Sequence, residues 1–218
     1  MLNITNFINN FPKYNKFGEK ITLVGATKMV HPEVINQAYT QGILHVGENK
    51  VQEFTEKLPF YPPATLHFIG HLQSNKVKYL VGKIHLIQSV DSLKLLNEIN
   101  KQAQKLQIIQ EILIEVNIGK DENKHGFYPE EVFSAVTYAQ SLSNVKLNGL
   151  MTVLPKCENK NNLMQLCLQM RKLYDIINKD YAKISILSMG MSGDYLTAIE
   201  CGSNMVRIGS ALFGERNY

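Results

Sequence analysis

Two stretches of the chain gather glycines, hydroxyls and lightly shielded backbone amides in a way that suits an anion. The first is Ser188-Met189-Gly190-Met191-Ser192-Gly193-Asp194, and the second is Arg207-Ile208-Gly209-Ser210-Ala211-Leu212-Phe213-Gly214. Glycine lets a backbone N–H approach a ligand closely, and the positive end of a following helix favours negative charge. Either turn alone is an ordinary connection; the pair reads as a phosphate cup. Arg207 is one of only three arginines among 23 basic residues. A guanidinium at the end of an apolar strand needs a partner, which is either an acidic neighbour or a ligand. Lys28 follows Val24-Gly25-Ala26-Thr27, another apolar run. In a sheltered mouth such a lysine is a candidate Schiff-base amine; in water it merely ends a strand.

Other polar clusters say less. His67 and His71 are four apart, but the segment between them reads as strand, and the glutamate of the helical zinc motif is missing. No metal site is expected there. Glu48-Asn49-Lys50, Gln73-Ser74-Asn75-Lys76 and Lys124-His125-Gly126 each either line a site or cap the next helix.

These residues must be positioned by alternating elements. Short apolar runs predict strands at 21–26, 43–46, 65–69, 85–89, 110–118, 145–153, 184–188 and 205–208. Helical patterns fall at 32–41, 49–57, 74–81, 92–106 with Asp91 as N-cap, 129–142 opened by Pro129, 161–177 and 194–200, with a leading helix near 4–11. Strand–helix alternation calls for a parallel sheet, and eight strands in this length fit a (β/α)₈ TIM barrel with an extra N-terminal helix. A doubly wound open sheet is the structural alternative. In a barrel, functional groups gather at the C-terminal strand ends and phosphate sits after strands seven and eight, which is where the two turns fall.

Composition excludes several classes. Of 218 residues, 44% are hydrophobic and 19% charged, and the net charge is +4. That is a globular composition, too mildly basic to argue for nucleic acid. No apolar stretch is long enough to predict a membrane span, and the first twenty residues show no secretory pattern. Cys157, Cys167 and Cys201 fit no zinc spacing and read as reduced thiols, so a cytoplasmic protein is expected. No Gly/Ser/Pro-rich linker divides the chain, so residues 1–218 are expected to form one domain.

Taken together, Val24-Gly25-Ala26-Thr27-Lys28, His45-Val46-Gly47-Glu48-Asn49, His67-Phe68-Ile69-Gly70-His71-Leu72-Gln73-Ser74-Asn75-Lys76, Leu187-Ser188-Met189-Gly190-Met191-Ser192 and Val206-Arg207-Ile208-Gly209-Ser210-Ala211-Leu212-Phe213-Gly214 resemble the pyridoxal phosphate homeostasis protein family. The order and spacing agree from about Ile21 onward. The resemblance implies a barrel like the N-terminal domain of alanine racemase and pyridoxal 5′-phosphate (PLP) as cofactor, carried as an internal aldimine on Lys28. It places Ser192, Gly209 and Ser210 at the phosphate, Arg207 at the pyridine nitrogen and Asn49 along the cofactor. It makes Lys124 a second, transient contact and puts His71 and Met189 in the pocket wall. Three departures stand out: Ser203-Asn204 where Ser-Thr is frequent, Ser210 where Thr is frequent, and His125 where Ser is common.

An arginine at the pyridine nitrogen would disfavour its protonation and make the ring a poor electron sink. The chain also ends at Tyr218, soon after the eighth strand, leaving no room for the second domain that racemase-type catalysis uses. The resemblance therefore implies a non-catalytic monomer that buffers PLP and delivers it to apo-enzymes, with neither nucleic acid nor membrane as partner. A small PLP-dependent amino-acid racemase is the first alternative, and a Schiff-base lyase or sugar-phosphate enzyme on the same barrel the second.

Overall fold

The computed structural model describes residues 4–157 and 159–214, so Arg216 lies outside it. Eight strands run in parallel: β1 (Thr22–Ala26), β2 (His45–Glu48), β3 (Thr65–Phe68), β4 (Leu86–Val90), β5 (Gln110–Glu115), β6 (Val145–Met151), β7 (Ile186–Ser188) and β8 (Met205–Ile208). They pair in chain order and close into a barrel, with β8 returning to β1 in the register Val24↔Arg207. The expected (β/α)₈ barrel with its leading helix is what forms. Closure removes the open-sheet alternative.

Around it lie α1 (Ile4–Asn10), α2 (Pro32–Thr40), α3 (Val51–Lys57), α4 (Leu93–Lys105), α5 (Val132–Ser141), α6 (Lys160–Asp180), α7 (Tyr195–Glu200) and α8 (Ser210–Phe213). Helix α4 shows why these segments coil: Leu95, Leu96, Ile99 and Ala103 recur at helical spacing and are all buried. Burying each of the three larger ones contributes roughly 1.5–3 kcal/mol before entropy. Outward strand residues such as Val206 and Ile208 pack under the helices, while Val24, Leu86, Leu113, Met151 and Met205 form a separate cluster within the barrel. No helix of the described residues is long and apolar enough to cross a membrane.

Three local expectations need correction. The stretch after β3 is a 3₁₀ helix, Ser74–Tyr79, instead of an α-helix to residue 81. The cap of α4 is Ser92, whose Oγ accepts from Leu95 N at 3.3 Å. The helix starts at Leu93, so Asp91 stands one residue outside the cap, where its Oδ2 lies 2.9 Å from His71 Nδ1. Helix α5 starts at Val132, since Pro129–Glu131 form a preceding turn.

Candidate functional site at the barrel mouth

Lys28 lies two residues beyond β1, on a loop fixed from both sides. On one side, Thr27 is fully buried and donates from Oγ1 to Glu48 Oε1 at 2.7 Å. The same oxygen accepts from Lys57 Nζ at 2.8 Å and from Tyr61 Oη at 3.0 Å. Lys57 also donates to Thr27 O at 2.7 Å. On the other side, Met29 adopts φ 57°, and its N–H is held by the carboxylate of Glu53. Helix α3 and the segment after it thus brace the backbone that carries Lys28. The buried Glu48–Lys57 pair tolerates its desolvation because each partner has further hydrogen bonds.

The two glycine–serine turns meet. Ser192 Oγ accepts from Gly209 N at 3.2 Å and from Ala211 N at 3.3 Å, so two backbone amides converge on one oxygen. Arg207 N donates to Gly190 O at 3.0 Å, tying the turns a second time. Gly190 has φ 101°, and a Cβ there would lie 2.7 Å from Ala198 Cβ and 2.9 Å from Tyr195 Cα, so the turn excludes any side chain. Ser210 opens α8 and is exposed.

Arg207 is buried inside the barrel at 3% exposure. It donates to Ser188 Oγ at 2.6 Å and to Thr152 O at 2.8 Å. Among the described residues its hydrogen-bond acceptors are thus neutral oxygens, not the carboxylate that the ion-pair reading expects. Burial lowers its pKa to about 10, with Glu115 and Asp194 opposing. From Ser188 the contacts continue inward: Ser188 Oγ to Gln88 Oε1 at 2.7 Å, Gln88 Nε2 to His67 Nδ1 at 3.1 Å, and His67 Nε2 to His45 Nδ1 at 3.0 Å.

The alanine racemase N-terminal domain family matches residues 15–217. A curated relative from Aquifex aeolicus, named pyridoxal phosphate homeostasis protein, is 47% identical over 199 residues, covering 90% of this chain and 87% of its own. The homeostasis protein of Schizosaccharomyces pombe is 35% identical, covering 91% and 86%. The chain belongs to the pyridoxal phosphate homeostasis protein family. Among solved structures, PipY of Synechococcus elongatus with PLP bound superposes with a TM-score of 0.85 at 27% identity, covering 97% of this chain and all of that one. Alanine racemase of Clostridium difficile shares the fold, with a TM-score of 0.83 at 18% identity, over 99% of this chain and 56% of that one.

In this family member, the remaining expected residues take distinct places. Asn49 follows β2 directly, and its buried Oδ1 has no hydrogen-bond partner among the described residues. Gly70 presses against it: a Cβ there would sit 2.2 Å from Asn49 O. Lys124 donates to Val153 O at 3.2 Å and Leu154 O at 2.8 Å, beyond the end of β6, and burial lowers its pKa. Met189 is fully buried, while His71 is exposed on the rim, where its ring stacks on that of His125. A cleft of about 690 Å³ opens beside the mouth, lined in part by Asn49, Lys50, His71, Gln73 and Lys76; it meets the expected site at Asn49 and at His71 of the expected pocket wall. The Ser203-Asn204 departure is structural. Ser203 Oγ bonds Met189 O at 2.7 Å and Asn204 Oδ1 accepts from Leu187 N at 2.8 Å, stitching β7 to β8.

Sequence reasoning missed Gln88 and Glu115. Glu115 ends β5 and is buried; burial, with Asp91 adding to it, raises its pKa to about 7 against the pull of Arg207 and Lys124. Both residues interrupt apolar runs, Leu86-Ile87-Gln88-Ser89-Val90 and Ile112-Leu113-Ile114-Glu115-Val116. A polar residue inside a buried strand demands a partner, which is the signal that could have found them.

Proposed function

We propose that the chain binds PLP at the C-terminal mouth of the barrel, covalently through Lys28, and acts in the cytoplasm as a buffer and donor of that cofactor. One juxtaposition carries this reading: β1 pairs with β8, so the braced loop of Lys28 and the converging amides of the Ser192–Gly209 turn rise from neighbouring strands. The donor set suits the group. Two amides already share one oxygen, Asn49 offers an orphaned acceptor, and Arg207 supplies a fixed cation. When bound, PLP supplies an aldehyde that condenses with an amine, and a phosphate.

Lys28 is the amine. Ser192, Gly209 and Ser210 receive the phosphate, Asn49 lines the ring, and Arg207 faces the pyridine nitrogen without giving up a proton. Lys124, across the mouth, offers a second contact. PipY, solved with PLP bound, supports the ligand, and relatives named for homeostasis instead of turnover support a non-catalytic role. The three unbridged cysteines accord with a reducing compartment. A monomeric barrel spanning residues 1–218 and apo-enzymes as recipients complete the proposal.

A racemase reading draws on Glu115, a carboxyl poised near neutrality at the mouth. Incubating the PLP-loaded protein with L-alanine in deuterated water separates the two: α-proton exchange above the free-cofactor rate supports the racemase, and none supports the carrier. The site itself is tested by adding PLP, recording the visible spectrum, reducing with borohydride and mapping peptides. A single adduct on Lys28, absent from Lys28→Ala, is expected. Adducts scattered over surface lysines, or none, overturn the site.

A further inference from the structure

The loops after β3, β4 and β5 bring His71, Asp91 and His125 together at the rim, away from the turns assigned to phosphate. We propose that these three residues bind a single divalent ion of the zinc, cobalt or nickel kind. Asp91 Oδ2 lies 2.9 Å from His71 Nδ1 and 3.8 Å from His125 Nδ1. One ligand atom from each residue lies within 4.8 Å of the other two. An ion holding nitrogen and oxygen ligands at about 2.0–2.1 Å in a tetrahedron separates them by roughly 3.3–3.4 Å, and the two measured spacings bracket that value. Two imidazoles and one carboxylate suit zinc and the late first-row ions, and leave at least one position for water or a ligand.

The surroundings favour occupancy. Among the described residues, the ion pairs of Asp91 are those with the two histidines, so its charge has no lysine or arginine partner. The loops are anchored. Ser89 Oγ donates to Gly70 O at 2.5 Å beside His71, and Asn117 Nδ2 donates to Asp121 O at 2.8 Å in the loop of His125. The cleft beside His71 gives an entry path. The two rings are stacked, with centroids 3.7 Å apart and planes 10° from parallel. Parallel rings cannot both meet one ion edge-on, so binding opens the stack. Both rings are exposed, with side chains 42% and 56% accessible, and have room to turn about χ2.

The test is a cobalt(II) titration of untagged, chelator-stripped protein, read from the visible d–d absorption, with zinc as competitor. A saturable one-to-one band displaced by zinc is expected. His125→Ser alters an exposed side chain and Asp91→Asn spares the Ser92 cap, so both variants should fold. Each should weaken binding by at least about tenfold, since even outer-shell changes cost 10–100-fold. Lys28→Ala should leave the band unchanged, which separates this site from the cofactor reading. No saturable band, or the same midpoint in His125→Ser, overturns the proposal.

Discussion

Arg207 and His45 are joined by four consecutive hydrogen bonds through the inside of the barrel, by way of Ser188, Gln88 and His67. The line has one direction. A guanidinium only donates, so Ser188 passes its own proton to Gln88 Oε1, and the Gln88 amide nitrogen must donate to His67 Nδ1. His67 then carries its proton on Nε2 and donates to His45 Nδ1. Burial, with His45 and His85 adding to it, holds the His67 pKa down at about 3, in keeping with a neutral ring.

Replacing Gln88 should therefore be felt at both ends. Gln88→Leu keeps the volume and leaves the Ser188 hydroxyl proton and His67 Nδ1 without partners, at about 1–3 kcal/mol for each unpaired group. Urea unfolding measures the loss. A change under about 0.5 kcal/mol would mean that the line adds nothing to stability.

The pH dependence of stability should carry two opposed contributions. Glu115 titrates near 4.5 when unfolded and near 7 when folded, so its contribution is full below about pH 4.5 and lost as pH rises to about 7. His67 titrates near 6.5 unfolded and near 3 folded, so its contribution is full above about pH 6.5 and lost as pH falls toward 3. Glu115→Gln removes the first alone. Between pH 4.5 and 6.5 the variant should gain stability with pH faster than wild type, by about 1.4 kcal/mol per unit. Urea midpoints across that range decide it, and parallel curves would refute the assignment.

Gly70→Ala should disturb the mouth. The new methyl would meet Asn49 O at 2.2 Å and Asn49 Cα at 2.6 Å, and backbone cannot swing aside as a side-chain tip can. A loss of at least about 1–3 kcal/mol is expected, together with weaker PLP binding by absorbance titration. Unchanged values for both would show that Asn49 has slack.

Lys57→Met should destabilise by about 3–5 kcal/mol, because it leaves Glu48 charged and buried without its cation. Adding Glu48→Gln should recover much of that. A double-mutant cycle in urea tests it, and additivity would show that the pair does not interact. PLP binding should fall in the single variant, since Lys57 also holds the Thr27 carbonyl beside Lys28.

Much of this was legible from the sequence. The eight apolar runs and intervening helical patterns gave the barrel, and the glycine–serine turns fell at the strand ends where an anion site belongs. The interior polar line was not legible. Strands of a parallel barrel are buried on both faces, so they show no alternation to tell inward from outward residues. Gln88 and Glu115 therefore looked like mere interruptions. The Asp91 error has a different cause: the helix begins one residue later than its pattern suggests, so Ser92 takes the cap and Asp91 meets His71, twenty residues away. Helix α3 was placed only as a pattern, and its part in bracing Lys28 shows in the Thr27–Glu48–Lys57 contacts.

The pairing of β1 with β8 also has a consequence during synthesis on the ribosome. The loop of Lys28 emerges long before its neighbouring strand, which carries Arg207. Until then the edges of β1 and β7 that pair with β8 stay open, and no partial product owns both halves of the proposed cofactor site. Chains that stop short of β8 should thus be unable to capture the cofactor, so PLP retention reports that a barrel has closed.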